Sequence, residues 1–337
     1  VVLSTPPLDY RALPKAELHC HLNGAVPADV LASLLLKYEL APPDLRDPEL
    51  LRARLTYTQP CASLGEYLEA WSLLRRLPVG RDCFRAMVDA AIRAQGEAGV
   101  RYVEMRHSIV TLAQVNQLTF EQALGWICEE LREAGSRWGV ESRLIVPFLR
   151  DKFDTWNYAE LVDAIAVLND PTIVGLDSAG DEAHPAPLQA ADFLRRSQER
   201  LGLKLTIHAG ETGIVEHIRW AIDECGADRI GHGLAAAKDP ELMAELRERG
   251  IPIEICPTSN WLTGGIPTLE AHPVDTFIEH GVPFVLCTDN PGLHGVDLAE
   301  EYARFATSDL RRVAIDGMFA MQQRYAFGSP ESAVARG

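Results

Sequence analysis

The 337-residue chain predicts an α/β fold, a (β/α)8 TIM barrel with a helical insertion after the first strand. Three observations predict it. Short apolar, β-branched runs recur eight times, and longer helix-patterned stretches separate them. No Gly-x-Gly-x-x-Gly follows the first run, as it would in a doubly wound nucleotide-binding sheet. Strands alternating with helices make a parallel sheet, and eight repeats close it. One barrel accommodates this length, so the chain reads as a single domain over 1–337.

The eight runs are AELHCHL (16–22), RYVEMRH (101–107), SRLIVPFL (142–149), IVGLDSAG (173–180), KLTIHAG (204–210), RIGHG (229–233), IPIEICPTSN (251–260) and PFVLCTDN (283–290). VEHIRWAIDECG and DPELMAELRERG read as helices between later runs. In the second, Asp239 is the N-cap, Pro240 the first turn and Gly250 the stop. The interval between the first two runs is too long for one crossover. Its helical patterns, VLASLLLKYEL and SLGEYLEAWSLLRRL, flank a Pro-rich charged break, and the insertion spans about 27–98. Tyr67 and Trp71 fall at i, i+4 on one helix face, which suits core packing or a lid over an aromatic ligand. SDLRRVAIDGMFAMQQRYAF reads as a closing helix, and the final GSPESAVARG as frayed.

Composition narrows the function. Hydrophobic residues make up 47% of the chain and mean hydropathy is −0.05, enough apolar material for a large core. The net charge of −16 repels phosphate polymers, which argues against nucleic-acid and anionic-membrane partners. No apolar run reaches membrane-spanning length, and the opening residues have no signal-peptide pattern. Seven scattered cysteines without a Cys-x-x-Cys pair read as reduced thiols, so a cytoplasmic location is expected. The sequence assigns no oligomeric state.

Residues able to bind metal or move protons crowd the ends of the runs, and a barrel carries its active site at the C-terminal ends of its strands. His19 and His21 lie two apart on one strand and share a face. That pair suits a shared metal, or an ordinary hydrogen-bonded pair of strand histidines. His208 ends the fifth run, and Glu211 follows it either turned toward the mouth or as a helix N-terminal acid. His232 ends the sixth run between two glycines, where a satisfied turn histidine is the plainer reading. Asp289 ends the eighth after an apolar approach that would bury its carboxylate. The coincidence carries the argument: four strands deliver a histidine or an acid to one end. His19, His21, His208 and Asp289 supply three nitrogens and a carboxylate, suited to one catalytic zinc with room for water. Glu211 and His232 remain as acid–base groups.

These segments resemble the adenosine deaminase family, the metal-dependent purine deaminases of the amidohydrolase superfamily. LPKAELHCHLNGA resembles its opening motif, usually HxHLDG, and LDSAGDE, HAGET, RIGHG, CPTSN and HPVDTFIEHGVPFVLCTDNPGLHGVDLAEEY follow in family order from Pro14 to about Tyr302. The resemblance implies hydrolytic removal of the 6-amino group of adenosine or a similar purine nucleoside, with one zinc on His19, His21, His208 and Asp289. It implies Glu211 as proton donor to purine N1, His232 beside the attacking water, and backbone Gly180 at the purine edge. The partner is then a small purine nucleoside.

Two positions depart from the family pattern. Asn23 stands where the family's aspartate binds the ribose 5′-hydroxyl, and Asn290 where the second aspartate after the eighth strand meets purine N7. An amide donates to N7 directly. Asn23 removes a negative charge, which fits a 5′ substituent, as in 6-aminodeoxyfutalosine or N6-methyl-AMP, and fits neutral drift with adenosine equally well. Adenine itself is disfavoured, because its deaminases resemble HLEG and HAGEE where this chain has HLNG and HAGET. An ester or amide hydrolase on the same barrel is the rival enzyme, and Glu211 three residues after His208 favours ring protonation over it. A non-enzymatic relative would be marked by a lost metal ligand, and all four are present. The H-x-E…P-C-x-x-C signature of the zinc deaminases of nucleic-acid bases is absent.

Overall fold

The computed structural model describes residues 9–69, 71–184 and 189–328. Eight parallel strands follow chain order: β1 (Lys15–His21), β2 (Val100–Arg106), β3 (Glu141–Leu149), β4 (Ile173–Ala179), β5 (Lys204–Ala209), β6 (Arg229–His232), β7 (Ile253–Ile255) and β8 (Phe284–Leu286). Just past β8 the chain meets β1. His21 N–H donates to Asp289 O at 2.9 Å, and Asp289 N–H donates to His19 O at 2.8 Å, drawing the last strand to the first. The barrel expected from the eight runs is the one observed.

Apolar side chains fill the space between sheet and helices, as the 3.6-residue pattern of the connecting segments requires. Helix Phe120–Trp138 opens on a Thr119–Gln122 capping box and ends at left-handed Gly139. Helix Pro240–Arg249 is capped by Asp239, which accepts from the N–H groups of Glu241 and Leu242, and stops at Gly250. Both ends match the sequence reading. Between β1 and β2 lie short helices, including Ala28–Lys37, Pro48–Arg54, Leu64–Glu69 and Trp71–Leu74, before helix Arg81–Glu97.

The barrel interior is ionic. Arg106 donates to Asp177 at 3.0 Å, to Glu254 at 2.7 Å and to the Leu18 carbonyl at 2.8 Å. Arg229 donates to Glu254 at 2.6 Å, to Glu104 at 2.7 Å and to the Tyr325 carbonyl at 2.8 Å, with its guanidinium 3.5 Å from the Phe327 ring centroid. All five side chains are buried. Charges survive there only because each has a partner within hydrogen-bond reach.

Two expectations need correction. The run 251–260 is strand only over Ile253–Ile255, and Pro257 then opens a helix to Leu262. Proline's fixed φ and missing N–H suit a first helical turn and end the ladder. The closing helix is two, Asp309–Asp316 and Met318–Tyr325, divided at Gly317. VEHIRWAIDECG is helical as expected, an α-helix over Val215–Arg219 that continues as a π-helix over Trp220–Glu224. From residue 329 the segment expected to fray lies outside the described residues. All seven cysteines are free thiols, six of them buried. No helix among the described residues is long and apolar enough to cross a membrane.

The ionic interior predicts an asymmetry in stability. Arg229→Met keeps an unbranched apolar stem but leaves Glu104 and Glu254 without that cation. Urea titration should show a loss of about 3–5 kcal/mol. Breaking the exposed Arg312–Asp309 pair with Arg312→Met should leave the urea midpoint unchanged.

Candidate active site

At the C-terminal mouth of the barrel lies a cavity of about 480 Å³. His21, Asn23, Gly180, His208, Glu211, His232, Asp289 and Asn290 all line it. The remaining residue singled out in the sequence, His19, lies fully buried beneath. Residues from five strand ends thus converge as expected.

The donor set is compact. His19, His21 and His208 offer nitrogens that lie within 4.8 Å of one another. Asp289 Oδ1 lies 3.3 Å from His21 Nε2 and 3.6 Å from His19 Nε2. His19 Nε2 and Asp289 Oδ1 are buried and have no hydrogen-bond partner among the described residues. Two orphaned buried atoms facing a third and fourth donor fit a divalent cation between them, since an unpaired buried polar group is costly. Ser259 donates to the other carboxylate oxygen, Oδ2, at 2.6 Å and leaves Oδ1 for the cation.

Sequence reasoning missed what aims these rings. His19 Nδ1 lies 2.6 Å from Glu254 Oε2, and His208 Nδ1 lies 3.1 Å from Asp177 Oδ1. A carboxylate holding Nδ1–H fixes the tautomer and turns Nε2 outward as the metal donor. Burial pushes the Asp177 carboxyl up, but His208 and Arg106 outweigh it and hold it below the ordinary range, so it stays an anion. One signal was available: a single acid or arginine inside an apolar strand run, as in IPIEICP and RIGHG, demands a buried partner.

Glu211 belongs to the cavity and not to a helix end, because residues 211–214 turn before the helix starts at Val215. Glu182, also missed, holds that turn, accepting from the N–H groups of Gly210 and Thr212 and from the Thr212 hydroxyl. Burial raises the Glu211 carboxyl to about 7, so it can hold a proton near neutrality. Its Oε2 lies 3.7 Å from His232 Nε2, while Thr263 donates to Oε1 at 3.0 Å. Burial lowers His232 to about 4, which keeps the ring neutral. The Asn260 amide anchors His232 Nδ1 at 3.0 Å, leaving Nε2 for the cavity.

The backbone is bent to make this arrangement. His232 and Asp289 both sit in the left-handed region, at φ +64° and +65°, which costs a non-glycine residue about 1–3 kcal/mol and is found where a site demands it. Gly180, at φ +103°, lets the chain turn along the cavity wall. The amide of Asn290 rests on Gly24, where an added Cβ would fall 1.9 Å from Oδ1. Asn23 donates from its amide nitrogen to the Leu74 carbonyl at 3.2 Å, and its oxygen has no partner among the described residues.

Gly231 provides a direct test of the donor set. A Cβ there would lie 3.0 Å from His19 Cε1 and 3.2 Å from His208 Cα. Gly231→Ala should push on a ring that Glu254 already pins. Its affinity for a divalent metal should fall about 10–100-fold in a chelator competition, comparable to losing an outer-shell contact.

Comparison with known proteins identifies the family. The family described as "Adenosine deaminase" matches residues 14–321. An adenosine deaminase of Salmonella typhimurium is 33% identical over 314 residues, covering 91% of this chain and 92% of that protein. Among solved structures, an adenine deaminase from Arthrobacter aurescens superposes with TM-score 0.82 at 22% identity, over 96% of both chains. A zinc-bound amidohydrolase from Burkholderia ambifaria gives 0.81 at 23%, over 97% of this chain and 89% of that one. The Arabidopsis N6-mAMP deaminase gives 0.79 at 22%, over 97% of both. Barrel, match length and curated relatives agree: the chain belongs to the adenosine deaminase family and is an aminohydrolase of adenine-type substrates.

Proposed function

We propose that the protein is a zinc-dependent hydrolase that converts the 6-amino group of adenosine, or a similar purine nucleoside, to a 6-oxo group and releases ammonia. One observation carries the reading: a protonatable buried carboxyl, Glu211, lies in the same cavity as a three-histidine, one-aspartate donor set in which His19 Nε2 and Asp289 Oδ1 are buried without a partner among the described residues. His19, His21, His208 and Asp289 are the ligands in this reading. When bound, the ion lowers the pKa of water from 15.7 toward ~7 and so supplies a nucleophile at neutral pH.

The chain's own residues do the rest. Purine C6 is a poor electrophile until N1 is protonated, and Glu211 gives N1 that proton. His232 Nε2 orients the attacking water and takes its proton. A C6–O bond forms, the C6–N bond breaks, the departing amine carries that proton away as ammonia, and the water's second proton returns to Glu211 as the 6-oxo group forms. Gly180 meets the purine edge through its backbone, and Asn290 donates to N7. Tyr67 and Trp71 line the same cavity. The helical segment of about 27–98 acts as a lid on a single barrel domain, and the site of action is cytoplasmic, in keeping with seven free thiols.

A second reading concerns the 5′ end. Asn23 has committed its nitrogen to Leu74, so it offers an acceptor, which suits a ligand hydroxyl. Yet Arg75, next in the chain, lines the same cavity and makes no ion pair among the described residues. That cation favours a substrate with an anionic 5′ extension, of the N6-methyl-AMP or 6-aminodeoxyfutalosine type.

Two experiments decide these points. Purified active protein should hold about one equivalent of zinc, and less than half an equivalent of any divalent metal would defeat the ligand set. Glu211→Gln should keep that metal and lose about 10²–10⁴-fold in kcat. The specificity test compares kcat/KM for adenosine and its 5′-phosphate. Asn23→Asp should reduce turnover of the phosphate more than that of adenosine, because like charges repel strongly in a partly desolvated site. Arg75→Ala should do the same. Indifference of both ratios would leave plain adenosine as the substrate.

A further inference from the structure

One short segment holds all three reactive side chains beyond the histidine ligands. After β7, Ser259 grips Asp289, Asn260 grips His232, and Thr263 grips Glu211. The first two act on a metal ligand and on a base. Thr263 alone addresses the group that gives up the proton.

We propose that Thr263 is a positioning residue for the general acid: its hydroxyl, donating to Glu211 Oε1, keeps the carboxyl proton on Oε2, the oxygen that faces the substrate. This rests on the reading of Glu211 as proton donor. The direction of the bond follows from distance. Thr263 Oγ1 has one hydrogen and two acceptors in range, Glu211 Oε1 at 3.0 Å and Asn260 O at 3.5 Å. The shorter contact takes the hydrogen, since bonds weaken toward the upper limit. Oε1 thereby becomes the accepting oxygen, and the proton sits on Oε2, the oxygen 3.7 Å from His232 Nε2.

The support beneath Thr263 is rigid. Gly264 takes φ +79°, and Gly265 packs so closely that an added Cβ would lie 3.1 Å from the Glu211 carbonyl oxygen and 3.2 Å from that of Asn260. The turn and the acid therefore rest on one another. Glu211 and Thr263 also form part of the wall of a second cavity, of about 490 Å³. A truncated side chain would let water reach Oε1, whereas valine keeps the wall and removes only the hydroxyl.

The test uses the metal-loaded protein with adenosine across pH 5–9. Thr263→Val should retain its metal and keep KM within about threefold of the parent. Its kcat should fall roughly 10–100-fold, the range produced by losing one hydrogen bond to an ionisable group. Removing a donor disfavours the ionised carboxylate, so the alkaline limb of kcat/KM should move to higher pH. Thr263→Ser should restore both rate and limb. Should the valine protein not fold, Thr263→Cys makes the comparison, since its weak S–H donor fills the wall without replacing the hydroxyl's bond. A kcat within twofold of the parent with an unmoved limb would overturn the proposal, as would valine and serine proteins equally impaired. If Glu211→Gln itself turns over normally, the acid assignment fails instead, and the two failures are distinguishable.

Discussion

Two of the three histidines in the donor set depend on the Arg106 guanidinium and the two carboxylates it joins. Arg106 spans Asp177 and Glu254 across the interior, and those acids in turn hold Nδ1 of His208 and His19. Without that cation, two anions would lie side by side in a buried layer and at least one would take up a proton. A protonated acid is a weaker acceptor and brings a competing O–H donor, so it would fix the imidazole tautomer less firmly. The ionic layer looks wasteful as a core, since apolar packing is often the more stable filling. Here it fixes the direction of two rings.

Chemistry was legible in the sequence wherever a residue type is itself unusual at a strand end. His19, His21, His208 and Asp289 stood out because histidines and an acid recur at the ends of separate runs. The barrel was legible because eight runs cannot all be satisfied in a shorter sheet. What escaped were the residues whose role depends on a change of period. Read as a strand, 251–260 alternates faces, and Ser259 and Asn260 point opposite ways. Folded as a helix from Pro257, the same residues reach Asp289 and His232 on one side of the mouth.

Partners distant in the chain were equally hidden. Asn23 reads as a lone amide that could either donate or accept. Its character is settled by the carbonyl of Leu74, 51 residues away, which takes the donor. Glu254 and His19 are 235 residues apart. No local pattern encodes such a meeting. The only trace is the oddity of a charge inside an apolar run, which says that a partner exists and not which one.

The seam of the barrel gives the site a further property. His19 and His21 bracket Cys20, whose bridge partner is Asp289, so three proposed ligands belong to the residues that join the last strand to the first. An ion held there would tie together the two ends of the sheet. Loading and barrel closure then become one linked equilibrium: the seam must close before the ligands meet, and any affinity for the ion is spent in part on keeping it closed. Scarcity of metal in the cell would thus be felt first as a loosened cylinder, before it is felt as a slower enzyme.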